Sequence, residues 1–185
     1  MADSNKSLSD NLGLQSDLEE FAEGNNKTFY HELSYYNPDH RRIGNNDAEI
    51  VDFVVSADGN IQFDLLEGDE TLVIYLKVKF NRDVDKPQVG LGIVSPEGIV
   101  IAESNTQLKK ILLPSAEDGE TCIYSIEIKP QLSGGQYFLN AAVGRVDNEI
   151  WTHLDTRRSL IHLAVAQSEQ YTGFFEIPHN FAVLR

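Results

Sequence analysis

At 185 residues and 41% hydrophobic content, the chain is long enough for one domain with a sizeable core and some additional material. A net charge of −14 argues against nucleic acid or an anionic lipid surface as the main partner, because both attract basic proteins. Cys122 is the sole cysteine, so an intrachain disulfide is excluded and a reducing compartment is favoured.

The first 45 residues are polar and carry one weakly amphipathic stretch. Ser9 or Asp10 can cap a short helix bearing Leu12, Leu18 and Phe21, which Gly24-Asn25-Asn26 would stop. The opening MADSNKSLSDNLG has no apolar region of the kind a secretory signal needs, and no apolar run approaches the roughly 18–20 residues of a membrane span. A cytoplasmic location is expected. Phe29, Tyr30, Tyr35 and Tyr36 form an aromatic cluster before Asn37-Pro38-Asp39, equally suited to an interface or a binding platform. Residues 1–45 are expected to be a linker or leader, and residues 46–185 the folded body.

From Asn46 onward the hydrophobic period becomes two. Strands are predicted over Glu49–Ala57, Ile61–Leu65, Thr71–Phe80, Gln88–Val94, Ile99–Glu103, Thr121–Ile128, Gln136–Val146, Ser159–Val165 and Thr172–Ile177. The alternation is cleanest where Leu72, Ile74, Leu76, Val78 and Phe80 share one face. Short strands with regular turn signals and no long helical period predict an all-β, immunoglobulin-like antiparallel sandwich, preceded by a short helical or linker segment. Ser95-Pro96-Glu97-Gly98 reads as a tight turn between two of the strands.

Two glycines in the strand before that turn call for an explanation, since each costs about 0.5–1 kcal/mol against alanine in a strand interior. With Val89, Leu91 and Ile93 in the core, Gly90 and Gly92 face outward. The same reasoning puts Tyr137, Leu139, Ala141 and Val143 inside and Gln136, Phe138, Asn140 and Ala142 outside. It also puts Leu160, His162 and Ala164 outside. If these strands are neighbours, their outer face is a shallow trough of small residues flanked by taller aromatic and polar ones. Gly144 to Arg158 reads as a long connection carrying Trp151, the one tryptophan, with His153 two residues on. An indole offers a flat apolar face and an N–H donor to a sugar ring, and Arg145, Asp155 and Arg157 could bond hydroxyls or a carboxylate. The alternatives are that Trp151 plugs the core, that Asn140 and His162 partner each other, and that Phe138 marks a protein contact.

Catalytic signatures are missing: no G-x-x-x-x-G-K-[ST], G-x-S-x-G, H-E-x-x-H or paired C-x-x-C occurs. The five histidines are scattered without metal-ligand spacing. No catalytic residue, metal or cofactor is expected.

Four stretches resemble the C-terminal domain of the ATP-binding subunit of O-antigen polysaccharide ABC transporters, the Wzt type. Arg42-Ile43-Gly44-Asn45-Asn46-Asp47-Ala48-Glu49-Ile50 is similar to that domain's opening, with Ile43 in place of its aromatic and Asn46-Asp47 in place of Gly-Glu. Gly90-Leu91-Gly92-Ile93, Gly98 and Ser104-Asn105-Thr106 resemble its central hairpin. Leu132, Gly135, Tyr137 and Leu139 match its L-x-x-G-x-Y-x-L, and the run from Thr172 to Phe181 is similar to its G-x-x-x-[LI]-P-H-x-[WF] finish.

The resemblance implies a non-catalytic, cytoplasmic module, peripheral to the inner membrane within a transporter complex. It would recognise the non-reducing end of a lipid-linked O-polysaccharide and license its export. The implied partners are an upstream nucleotide-binding domain, a membrane-spanning transporter subunit and a second copy in a homodimer; nucleic acid is not among them. Gly90, Gly92, Phe138, Asn140 and His162, rimmed by Trp151 and Arg157, are the expected glycan-binding set. Thr172, Phe174, Phe175 and Ile177 would form a strand paired across the dimer, since an isolated terminal strand leaves an open edge. The competing readings are a structural dimerisation or protein-interaction sandwich without a glycan ligand, and a glycan-processing enzyme.

Overall fold

The computed structural model describes residues 19–22, 28–147, 150–167, 173, 174 and 182. Among these residues, eight strands form two antiparallel sheets: β1 (Arg41–Ile43), β2 (Ala48–Ala57), β3 (Leu72–Phe80), β4 (Gln88–Val94), β5 (Val100–Asn105), β6 (Thr121–Ile128), β7 (Gly135–Asp147) and β8 (Ile150–Val165). One sheet has the order β1-β8-β7-β4-β5 and the other β2-β3-β6. The predicted sandwich is therefore present.

Strand alternation builds the core. Leu72, Ile74, Leu76, Val78 and Phe80 are fully buried along β3, while their neighbours in sequence stay partly or fully exposed. They meet Leu139, Ile161 and Leu163 from the larger sheet in one buried cluster. Tyr137 is buried beside them, and its hydroxyl donates to the carbonyl of Ser133 at 2.9 Å. This is the tyrosine-corner arrangement of immunoglobulin-like sandwiches. The Ser95–Gly98 turn closes through the Gly98 N–H on the Ser95 carbonyl at 2.9 Å, with Gly98 at φ 82°.

The described residues of the expected leader pack on the body. Residues 19–22 are helical and Phe21 is buried, whereas the expected cap and stop lie outside the described residues. Leu33 and Tyr35 belong to the core, and the Tyr35 hydroxyl bonds both the N–H and the carbonyl of Val55 at 3.0 Å. Tyr30 stacks on Phe53 with ring centroids 5.5 Å apart. The aromatic cluster thus packs on the chain's own sandwich. β1, ahead of the expected body, pairs with β8 from Arg41↔Arg158 to Ile43↔Thr156.

Three further expectations change. Leu160 is buried in the core rather than outward, because a register shift in β8 resets the alternation there. Ile61–Leu65 is not a strand: Ile61 and Leu66 are buried and Phe63 stacks on Tyr35, as the chain crosses to an isolated parallel bridge between Leu66 and Val165. Ile61 and Phe63 pack on the core from an irregular segment, and Leu65 stays exposed. Gly144–Arg158 is not a loop either. β7 and β8 continue through it as paired strands out to Asp147↔Ile150. Of the expected dimer strand, Thr172, Phe175 and Ile177 lie outside the described residues; Phe174 is exposed, and its carbonyl accepts the Ser133 N–H at 3.0 Å.

Candidate functional site

The outer face of the five-stranded sheet carries a groove of about 540 Å³ across β8, β7, β4 and β5. Residues directly opposite one another in an antiparallel ladder share a face, so the pairing register lays out its floor in two rows. One row runs from Glu103 through Gly92 and Asn140 to a bulge of β8 carrying Arg158 and Ser159. The second runs Asn105, Gly90, Ala142, Thr156. Trp151 and His153 line the groove beyond these rows.

The two glycines have different causes. A Cβ on Gly90 would stand 2.8 Å from the Asn105 Cβ and 3.0 Å from the Ser104 carbonyl oxygen, so the approach of β5 forbids a side chain there. A Cβ on Gly92 would meet nothing closer than the Asn140 Nδ2 at 3.6 Å, an ordinary contact. The fold demands glycine at 90 and leaves room at 92. The bare backbone of Gly92 keeps the groove floor low without serving the packing beneath it.

Asn140 is fixed by β8. The register slips between Leu139↔Ile161 and Ala141↔Arg157, leaving Arg158, Ser159 and Leu160 opposite Asn140. Ser159 adopts φ 56°; its N–H donates to the Asn140 Oδ1 at 2.7 Å and its carbonyl accepts the Asn37 Nδ2 at 2.8 Å. Asn140 thereby spends its oxygen on the bulge and keeps its NH2 on the groove side, over Gly92. A second register shift, between Val143 and Gly144, brings Trp151 over Gly144. A Cβ on Gly144 would lie 2.4 Å from the indole Cζ2, so the indole rests on bare backbone. Its Nε1–H donates to the His153 Nδ1 at 3.1 Å, and the same Nδ1 lies 2.8 Å from the Thr156 Oγ1. Trp151 offers the groove its ring rather than its N–H.

Between the two bulges, three pairs hold: Ala141↔Arg157, Ala142↔Thr156 and Val143↔Asp155. Ala141 and Val143 are core residues, so Arg157 and Asp155 point inward, away from the groove. This corrects the expected rim role of Arg157. Its guanidinium donates to the Ile50 carbonyl at 2.8 Å, to the Asp155 Oδ2 at 3.1 Å and to the His40 Nε2 at 3.0 Å. Asp155 is completely buried and also accepts the Arg42 Nε at 2.9 Å and the Ile50 N–H at 2.8 Å. Arg145 pairs with Asp147 at 2.7 Å. The histidine in this cluster is held neutral. Burial is the main cause lowering the His40 pKa and Arg157 adds to it, against a raising bond to the Asn37 carbonyl.

Of the expected residues, the structure brings Gly90, Gly92, Asn140 and Trp151 to one groove. Phe138 and His162 sit further along the outer face and do not line it. Their rings lie 5.1 Å apart, and His162 Nε2 bonds the Gln136 Oε1 at 2.5 Å rather than Asn140. Sequence reasoning missed Glu103, Asn105, His153, Thr156, Arg158 and Ser159, which the groove contains. The Ser95–Gly98 turn points to the neighbourhood of Glu103 and Asn105 as partners of the glycines. The shift between Ile93 and Val94 then decides which residues share their face. No comparable signal marks Arg158 over Arg157, because the bulge at Asn140 sets the parity.

Comparison with known proteins gives a sequence-family match over residues 39–177, to the family described as the Wzt C-terminal domain. Among solved structures, the chain is similar to a crystal structure of the C-terminal domain of Wzt, with TM-score 0.77 and 23% identity over 87% of this chain and 98% of that one. A β-glucuronidase from Bacteroides uniformis gives TM-score 0.41 and 16% identity over 60% of this chain and 13% of that one. A CARDB domain from Pyrococcus furiosus gives 0.37 and 15% over 76% and 94%. No curated protein sequence matches the chain.

Proposed function

Because the chain belongs to the Wzt C-terminal domain family, we propose that its outer-face groove binds the non-reducing end of an O-antigen polysaccharide destined for export. Family membership supplies the setting, an ATP-binding subunit of an ABC transporter. The observation that carries the reading is Gly92. Its missing side chain is not required by packing, yet it keeps a trough open between a tryptophan ring and a row of polar side chains. An indole face with fixed amide donors beside it is suited to a sugar, whose ring C–H face is apolar and whose edge is polar.

In this proposal the module binds without turnover, in the cytoplasm, and is presented twice in a homodimeric subunit. Few atoms are buried in so open a groove, so affinity for one chain end is weak, and pairing of modules raises it. Among the described residues no helix is long and apolar enough to cross a membrane.

Calorimetric titration of the chain with its cognate O-polysaccharide tests the reading. Saturable binding with no new reducing ends is the expected result. New reducing ends would identify an enzyme instead, and no heat from a stable dimer would favour a purely structural module.

A further inference from the structure

The polar groups of the groove are unequally divided between donors and acceptors. Asn140 has committed its Oδ1 to the Ser159 N–H at 2.7 Å, and Asn105 has committed its Oδ1 to the Leu108 N–H at 2.8 Å. Each side-chain amide therefore keeps both NH2 hydrogens for a ligand but only one of its oxygen's two lone pairs. An indole nitrogen can only donate, so the His153 Nδ1 accepts from Trp151 and the ring proton resides on Nε2. Arg158 is a donor by nature and has no ion-pair partner among the described residues. Against these stands the carboxylate of Glu103 on the opposite, β5 wall, the one acceptor-only side chain of a lining in which Ser104, Gln107 and Ser159 can both donate and accept.

A sugar hydroxyl can accept from such donors, but it also brings a hydrogen that needs an acceptor of its own. A planar carbonyl or carboxylate oxygen brings lone pairs and no hydrogen. Resting on the glycan-binding reading above, we infer that the groove selects a sugar bearing a planar acceptor substituent, an acetamido carbonyl or a uronate carboxylate. The substituent is held at the β8 end by the Asn140 NH2 and the Arg158 fork. Glu103 orients the ring by accepting from hydroxyls at the β5 end and by repelling a carboxylate placed there.

The test is an amide-resolved NMR titration of the chain with the methyl glycosides of N-acetylglucosamine, glucuronic acid and glucose, alongside the cognate O-polysaccharide. The acetamido or the uronate glycoside is expected to bind at least about tenfold more tightly than the glucose glycoside, and which of the two does so identifies the substituent. Asn140→Asp keeps an oxygen for the Ser159 N–H while removing the donor, and it should abolish the preference. Arg158→Gln should abolish it if the uronate is preferred and weaken it otherwise. Equal binding of the three glycosides, binding of none, or a preference that survives both substitutions overturns the inference. If the polysaccharide still shifts groove amides in those cases, the glycan-binding reading stands without it; if the polysaccharide is also silent, both fall.

Discussion

A methyl group placed on Gly92 fits, and one placed on Gly90 does not, although the two glycines lie on the same face of one strand. The pair therefore separates binding from folding in a single experiment. Gly90→Ala is expected to cost about 1–3 kcal/mol, because β5 must shift to accept it. Gly92→Ala should leave stability unchanged or raise it by up to about 1 kcal/mol, since it removes a strand glycine without a clash. Gly92→Leu should abolish polysaccharide binding by filling the floor. Thermal melts beside a binding titration check all three, and a Gly92→Leu protein that binds normally would place the glycan elsewhere. Trp151 belongs to the same scale: Gly144→Ala pushes the indole from its seat, and emission from the only tryptophan reports the change directly.

At the scale of the element, β8 governs the groove. Two bulges bracket residues 155–157, so Thr156 reaches the groove while Asp155 and Arg157 turn into the sandwich. The inward pair is anchored to β1 by Arg42 and to β2 by the backbone of Ile50. A slip of one residue would exchange the two faces, taking Thr156 from the groove and putting a charge in its place. Asp155→Asn is expected to cost about 3–5 kcal/mol, because it leaves two guanidinium groups without their buried carboxylate. Chemical denaturation measures that loss, and a value below about 1 kcal/mol would show that the cluster does not hold the register.

At the scale of the whole molecule, the same cluster joins the two sheets, and His40 makes the joint sensitive to acid. Its Nε2 accepts from Arg157, so the ring must be neutral, in line with a pKa lowered chiefly by burial. A depressed histidine pKa means that the unfolded chain binds the proton more readily. The stability this contributes is present above the ordinary value of about 6.5 and is lost as pH falls through the lower, folded value. The melting temperature should therefore drop by a few degrees between about pH 7.5 and pH 5, and the slope should flatten in His40→Gln. Equal slopes in the two proteins would remove His40 from the account.

The order of residues alone carried the two-layer β class, the core face of β3, the inward side of Tyr137, the family and the presence of an outward glycine face. The class, the faces and the buried tyrosine rest on side-chain period or on turn chemistry, which act over a few neighbouring residues, and the family rests on four motifs kept in order along the chain. Which side chains share the groove was set by contacts between strands. Gly144 to Arg158 carries no uninterrupted alternation, because two bulges reset its parity, and a bulge is stabilised by partners distant in the chain, such as Asn140 and Asn37 for Ser159. The choice of Arg158 over Arg157, and of a bare Gly92 over a merely crowded Gly90, was therefore written in contacts between strands rather than in the order of residues along them.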